Sequence, residues 1–353
     1  MGRIGRDTVW MTHSPAICAT GSVVGKKEGE GPLHSYFDQI FPDTTMQAES
    51  WEKAESRLQT EAVRIALKKR ALRPEQVDYI LAGDLLNQCI GSAMGLRALN
   101  IPMIGLYGAC STMALGLAVG AMLADGGMAD RVMAVTSSHF CAAERQFRFP
   151  LEYGSLRPPT AQWTVTGAGA ALIGHDAHAP SIRAVTIGRI TDLQVHDTNN
   201  MGAAMAPAAA STLSAYFRDT GADPSDFDRI ITGDLGAVGS ELLIELLNRE
   251  GISIASRHSD CGLMIYDRVN QEVDAGGSGC GCAGSVFCGY VMHQLRTRAW
   301  KRILFMATGA LMSTTSAQQG ESIPGIAHLI HLESASSTDG EAGSEPTERK
   351  AGL

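Results

Sequence analysis

Cys110 lies in "IPMIGLYGACSTMALGLAVGAMLADGG" (101–127), where a short apolar strand pattern passes into a long apolar helix pattern. Its neighbours Gly108, Ala109 and Ser111 are small, as a sharp turn at a helix N-terminus requires. Such a place suits nucleophilic chemistry, because the helix dipole and free N–H groups favour thiolate. The same N–H groups also suit a bound carboxylate. The elbow therefore reads either as the seat of a covalent nucleophile or as the floor of an anion-binding pocket. Two further stretches carry polar groups to set beside it. "SSHFCAAERQFRFP" (137–150) offers His139, Arg145 and Arg148, with Phe147 and Phe149 as stacking faces, and "GDLLNQ" (83–88) offers Asp84, Asn87 and Gln88. Arginine is the better carboxylate partner, since its planar fork binds both oxygens.

Each of these residues also has a plainer reading. Asp84 and Asp234 can cap a following helix, His139 can be a hydrogen-bonded core histidine, and Glu144 with Arg145 can be a mutual ion pair. Cys280 and Cys282 read as packing at a glycine turn. "CGCAGSVFC" (280–288), with His258 and Cys261, lacks the paired C-x-x-C spacing of a zinc site, so no metal is expected.

The elements that must position these groups occur twice. "EQVDYILAGDLLNQ" (75–88) and "SDFDRIITGDLGAVGS" (225–240) share an acidic turn, a short Ile-rich strand and Gly-Asp-Leu. Each follows a helix pattern, at 50–72 and 205–221, with Pro207 of "MGAAMAPAAAS" (201–211) expected in a first turn and its methionines in the core or at a dimer surface. After each come a glycine turn, an apolar helix and a strand: Cys110 with "RVMAVTSSH" (131–139), then "AGGSGCGCAGS" (275–285) with "RILFMATGA" (302–310). Strand, helix, strand in sequence implies parallel pairing through right-handed crossovers. Two such modules imply a duplicated α/β architecture, with halves at 1–175 and 176–332. Residues 22–47 read as a loop-rich insertion, and 333–353, without apolar periodicity, as a disordered tail.

Composition narrows the function classes. The 353 residues are 44% hydrophobic with 39 glycines, and the net charge of −8 argues against nucleic-acid binding. No apolar run is long enough to span a bilayer and the N-terminus carries no secretory pattern, so any membrane association is expected to be peripheral and the location cytoplasmic. Eight dispersed cysteines fit a reducing compartment.

The repeat, the cysteine elbow and "TVTGAGAALIG" (164–174), which includes Thr166, together resemble the thiolase and β-ketoacyl synthase superfamily. The resemblance implies two βαβαβαββ halves in a five-layered αβαβα arrangement, usually paired as a homodimer through central strands. More closely, "AGDLLNQ", "YGACST", "TSSHFCAAERQFRFPLEYG", "TVTGAGA", "MGAAMAPAAA", "DCGLMIYD" and "AGGSGCGCAGS", in that order, resemble the stage V sporulation protein AD family of spore-forming bacteria. That resemblance implies binding of dipicolinic acid (pyridine-2,6-dicarboxylate) and its uptake into the developing spore. It implies partnership with membrane proteins of the same operon at the forespore or spore inner membrane. No cofactor is implied, calcium entering only as the dipicolinate chelate.

Condensing enzymes of the superfamily need a second-half histidine, and "GGSGCGCAGS" and "GAVGS" have none. Acid–base assistance is worth on the order of a hundredfold or more. His139 and His258 are the available substitutes, and neither sits at the family's catalytic position. The expected site is therefore a ligand pocket of Asp84, Asn87, Cys110, Ser111, His139, Arg145, Phe147 and Thr166, with Gln88, Arg148 and His258 as outer candidates. The alternatives are an acyltransferase using Cys110 on acyl-thioesters and a purely structural channel subunit.

Overall fold

The computed structural model describes residues 2–147 and 157–335. Ten strands carry the architecture. In the first half they are β1 (Ala16–Val24), β2 (Tyr79–Gly83), β3 (Met103–Gly105), β4 (Val132–Ser138) and β5 (Gly167–Gly174). In the second they are β6 (Ser181–Ile187), β7 (Arg229–Thr232), β8 (His258–Asp260), β9 (Arg302–Ala310) and β10 (Gly325–Glu333). The first set pairs in the order β3-β2-β4-β5-β1 and the second in the order β8-β7-β9-β10-β6. In each the first three strands are parallel and the last two antiparallel. The two Gly-Asp-Leu strands, β2 and β7, thus occupy equivalent second positions, as the sequence repeat requires. The sheets meet where Ser181 pairs with Ala16.

Three layers of helix separate and cover them. Helix α1 (Trp51–Lys69) is capped by Ser50, whose hydroxyl accepts from the Lys53 N–H at 3.3 Å. Its face of Leu58, Ala62, Val63 and Ala66 packs on Ile80, Met133, Val135 and Leu172. Helix α2 (Thr112–Asp125) is apolar on every side, the signature of a helix buried all round, and lies between the sheets. Beside it runs the helix from Cys280 to Arg296, wound as a π-turn over Phe287–Val291. On the far side of the second sheet lie α4 (Met201–Thr220) and α5 (Gly236–Arg249), where Leu213, Tyr216, Leu243 and Leu247 cover Ile230, Leu304 and Leu329. Helix α3 (Phe140–Phe147) follows β4. The result is the five-layered αβαβα arrangement.

Close backbone contact holds the central layer: a Cβ on Gly169 would fall 2.0 Å from the Gly284 carbonyl oxygen. Two local expectations need correction. Residues 22–24 belong to β1, pairing with Gly167–Gly169, and the rest of 22–47 carries the short helix Lys26–Gly29 and strand Gln39–Ile40. Buried Glu28 pins this segment to the second half, accepting from the Tyr266 hydroxyl and from the Thr166 N–H at 2.9 Å. Helix α4 begins at Met201, where the Asn200 side chain accepts from the Ala203 N–H at 3.2 Å. Pro207 therefore lies in the second turn. The tail expected at 333–353 falls outside the described residues from 336 onward, and Glu333 closes β10.

Candidate functional site

The elbow forms as its small residues imply. Ala109 takes a left-handed φ of 49°, which turns the chain sharply before α2. The Ser111 hydroxyl donates to the Gly108 carbonyl at 2.6 Å and the Thr112 hydroxyl to the Ala109 carbonyl at 2.6 Å. The end of β9 presses on this turn: a Cβ on Gly309 would stand 2.3 Å from the Gly108 oxygen. Cys110 is left 6% exposed at the floor of a cavity of about 480 Å³, part of it open to solvent. Leu85, Tyr107, Phe147, Met201 and Met312 form apolar walls, and Glu144, Thr164 and Ser278 supply the polar groups. Past Leu85, Tyr107, Phe147 and Met312 the space continues into a groove along Asn87, Gln88, Ser313 and Thr314.

The group facing the Cys110 thiol is Asp234. Its carboxyl accepts from the Gly279 N–H at 2.9 Å and the Thr308 hydroxyl at 2.8 Å. Burial pushes its pKa up to about 7, those bonds pulling the other way. The thiol is pushed well above its ordinary value, first by burial and then by the Asp234 charge, with the Gly279 N–H opposing. The thiolate expected from the helix dipole is thus overruled: a few N–H groups at a helix end do not outweigh loss of water beside a carboxyl. Asp234 is no helix cap. Asp260 does that work in the second half, accepting from the Leu235 N–H at 2.8 Å and the Gly236 N–H at 3.1 Å, and so releases Asp234 toward the thiol.

The other expected residues divide. Phe147 lines the cavity, and Asn87 and Gln88 line the groove beyond it. Ser111 spends its hydroxyl within the elbow. Asp84, the counterpart of Asp234, is fully buried and bonded locally. It accepts from the Ser92 N–H at 2.7 Å, the Ser92 hydroxyl at 2.6 Å and the Leu86 N–H at 2.9 Å, tying down the helix Ile90–Leu96. His139 is the core histidine: it is 1% exposed, stacks on Trp51 with ring centres 5.5 Å apart, and places Nε2 2.8 Å from the Thr44 carbonyl. Arg145 turns outward to pair with Glu52, not with Glu144. Glu144 pairs instead with Arg157 at 2.7 Å and accepts from the Thr164 hydroxyl at 2.8 Å. Thr166 faces away, accepting from the Phe140 N–H at 3.0 Å, while Thr164 two residues earlier reaches the cavity. His258 meets the Thr232 hydroxyl at 2.9 Å on the edge strand β8, where burial lowers its pKa to about 4. Arg148 and Phe149 lie outside the described residues.

Reading the sequence missed Asp234, Glu144, Thr164, Met201 and Met312 as residues of the site. Only the Gly-Asp-Leu repeat held a usable signal, since the second Asp lacks the Ser that caps the first arrangement eight residues on. The sequence pattern puts these methionines in the core or at a dimer surface; Met205 is buried in the core, but Met201 faces the cavity. Among the described residues no group of three or more His, Cys, Asp or Glu is placed to hold a metal ion, and no helix is long and apolar enough to cross a membrane.

Comparison with known proteins agrees with this fold. Solved structures share the fold at low identity. The 3-oxoacyl-[acyl-carrier-protein] synthase III of Aquifex aeolicus VF5 superposes with a TM-score of 0.55 at 14% identity, over 91% of this chain and 100% of its own. Cerulenin-bound OleA of Xanthomonas campestris does so with 0.58 at 12%, over 94% and 97%. Stage V sporulation protein AD of Bacillus subtilis (strain 168) is 44% identical over 331 residues, 94% of this chain and 98% of that protein. The family model of stage V sporulation protein AD (SpoVAD) matches residues 5–333. With nearly the whole chain covered, the protein belongs to the stage V sporulation protein AD family, built on a thiolase-like fold.

Proposed function

We propose that the chain binds dipicolinate in the Cys110 cavity, as the non-membrane component of a spore membrane assembly, and does not condense acyl-thioesters. The observation that carries the reading is Asp234. An acidic group facing a buried thiol keeps that thiol protonated, and no histidine is among the described residues lining the cavity. The flat ring of the ligand suits the walls of Phe147, Tyr107 and Met312, and the hydroxyls of Thr164 and Ser278 suit carboxylate oxygens. Among the described residues Arg157, paired with the cavity-lining Glu144 at 2.7 Å, is the cation we assign to the ligand, in place of the Arg145 expected. Calcium would enter with the ligand and needs no site of its own.

Calorimetry with dipicolinate and acetoacetyl-coenzyme A, side by side, tests this. Dipicolinate should bind, Cys110→Trp should abolish the binding event seated in this cavity by filling it, and Glu144→Gln should tighten that event by removing a like charge and freeing Arg157. Unchanged dipicolinate affinity in both variants would place the ligand elsewhere. The second reading is an acyltransferase, favoured by the apolar walls and by the groove that prolongs the cavity. Thioester turnover lost in Cys110→Ala would establish it.

We extend the proposal to assembly. Met103 and Ile104 on the edge strand β3 are 40% and 38% exposed, with Tyr107 three residues further on also exposed, and this apolar edge suits a second copy paired strand to strand. Ile104→Asp should shift the sedimentation coefficient to that of a monomer. Contact with membrane proteins of the sporulation operon at the spore inner membrane belongs to the same reading, and co-purification with them tests it.

A further inference from the structure

A second cavity lies at the opposite end of the first sheet. It opens at the start of β1 and β4 and the end of β5, whereas the Cys110 cavity gathers at the far end of β4. At about 3.3 Å per residue, the seven residues of β4 put some 20 Å between the two ends. This second space, about 760 Å³ and partly open, is bordered by Arg70, Arg131, His175, Asp130 and the side chains of Leu72 and Leu172, with Cys18 and Gly174 beneath. Its border carries two arginines and one aspartate.

Two guanidinium groups converge there. Arg70 ends helix α1 and holds Asp176 at 2.8 Å. The backbone of Arg131 is fixed by its N–H bond to the Asp78 carboxylate at 2.9 Å, so the side chain leaves from an anchored point. Among the described residues that guanidinium makes one long bond, 3.4 Å to the Gln76 carbonyl, which leaves most of its fork free to bind. Gly174 keeps the floor bare: a Cβ there would lie 3.0 Å from the Asp130 carbonyl oxygen and 3.5 Å from the Cys18 sulfur. Asp176 engages Arg70 through one guanidinium nitrogen, which leaves other N–H donors of that fork open, and among the described residues bordering the pocket Asp130 is the one acid.

We infer that this pocket is a binding site for a small oxyanion, a carboxylate or a phosphate, held in the forks of Arg70 and Arg131 with its apolar body between Leu72 and Leu172. A planar fork matches two oxygens of either group. The inference is independent of what the Cys110 cavity holds.

The test titrates inorganic phosphate and dipicolinate separately into the full chain and into Cys110→Trp, at low and at high salt. At least one probe should show a binding event that survives in Cys110→Trp and weakens with added salt, as exposed charge pairs do. Phosphate alone would mark a phosphate site, dipicolinate alone a carboxylate site, and both the shared chemistry. Arg70→Gln combined with Arg131→Gln should weaken that event about tenfold or more. If the double variant does not fold, Leu72→Trp, which fills the pocket without touching charge, should abolish the event. Absence of any event in Cys110→Trp, or an event unchanged in the double variant or in Leu72→Trp, overturns the assignment. Failure of the Cys110 reading appears separately, as a dipicolinate titration from which Cys110→Trp removes no event.

Discussion

Asp234→Asn is the most informative single change, because the structure sets both its sign and its size. The folded protein holds this carboxyl at about 7, against an ordinary aspartate value of 3.8. A raised carboxyl binds its proton more tightly folded than unfolded. Its contribution is therefore fully present at low pH and is lost as pH rises from about 4 through 7. Three pH units correspond to about 4 kcal/mol over the whole window, with roughly 2–3 kcal/mol of it falling between pH 5 and 8. Asparagine keeps the shape and one acceptor, its Oδ1 for the Gly279 N–H; its NH2 then faces the Thr308 hydroxyl, which can turn to accept, and the side chain cannot ionise. Urea unfolding of both proteins at pH 5, 6.5 and 8 should show the variant gaining about 2–3 kcal/mol relative to the native chain between the end points. Taking the difference between the two proteins cancels the other raised acids, including Asp260 at about 6, to the extent that they titrate alike in both. Parallel stability profiles would refute the argument and return Asp234 to an ordinary hydrogen-bonded aspartate.

Three further outcomes are expected. Arg157→Ala removes the guanidinium 2.7 Å from the buried Glu144 carboxylate and should cost about 1–3 kcal/mol by urea unfolding, less than for a fully buried pair because Arg157 is 26% exposed and Thr164 still donates. Iodoacetamide should modify Cys110 at pH 8 at least about tenfold more slowly than a free cysteine, because burial beside Asp234 suppresses the thiolate. Gly169→Ala drives a methyl group into the Gly284 carbonyl and should lower stability by about 1–3 kcal/mol or prevent folding, seen as a lowered Tm or insoluble protein.

The fold was legible because its evidence is local and doubled. Two Gly-Asp-Leu strands, two glycine turns and two apolar helices spell the same module, and parallel pairing follows from chain connectivity alone. The elbow was legible for the same reason: small residues at 108–111 leave few other conformations. The site's membership was not, since it turns on which way a side chain points across the internal dyad. Asp84 and Asp234 are equivalent in pattern and opposite in role. Ser92 satisfies the first from eight residues away, whereas the capping duty of the second is taken by Asp260, twenty-six residues further on. His139 and Arg145 flank the cavity in sequence, yet their partners, Thr44 and Glu52, lie some ninety residues upstream in a different layer. A charged residue near a site in sequence says little until the competing partner is known.

The cavity floor is jointly owned. Its elbow comes from the first half, and Asp234, Ser278 and the Gly309–Ala310 corner from the second, clamped where Gly309 meets the Gly108 carbonyl. Any substitution that spoils this clamp also loosens the central layer. The hollow is thus kept in shape by whatever keeps the chain folded, whether or not anything binds there. Reactivity has no such protection: the residue facing the thiol can be exchanged while the vessel survives. A lineage can in this way lose a reaction, keep the container, and find a different use for it.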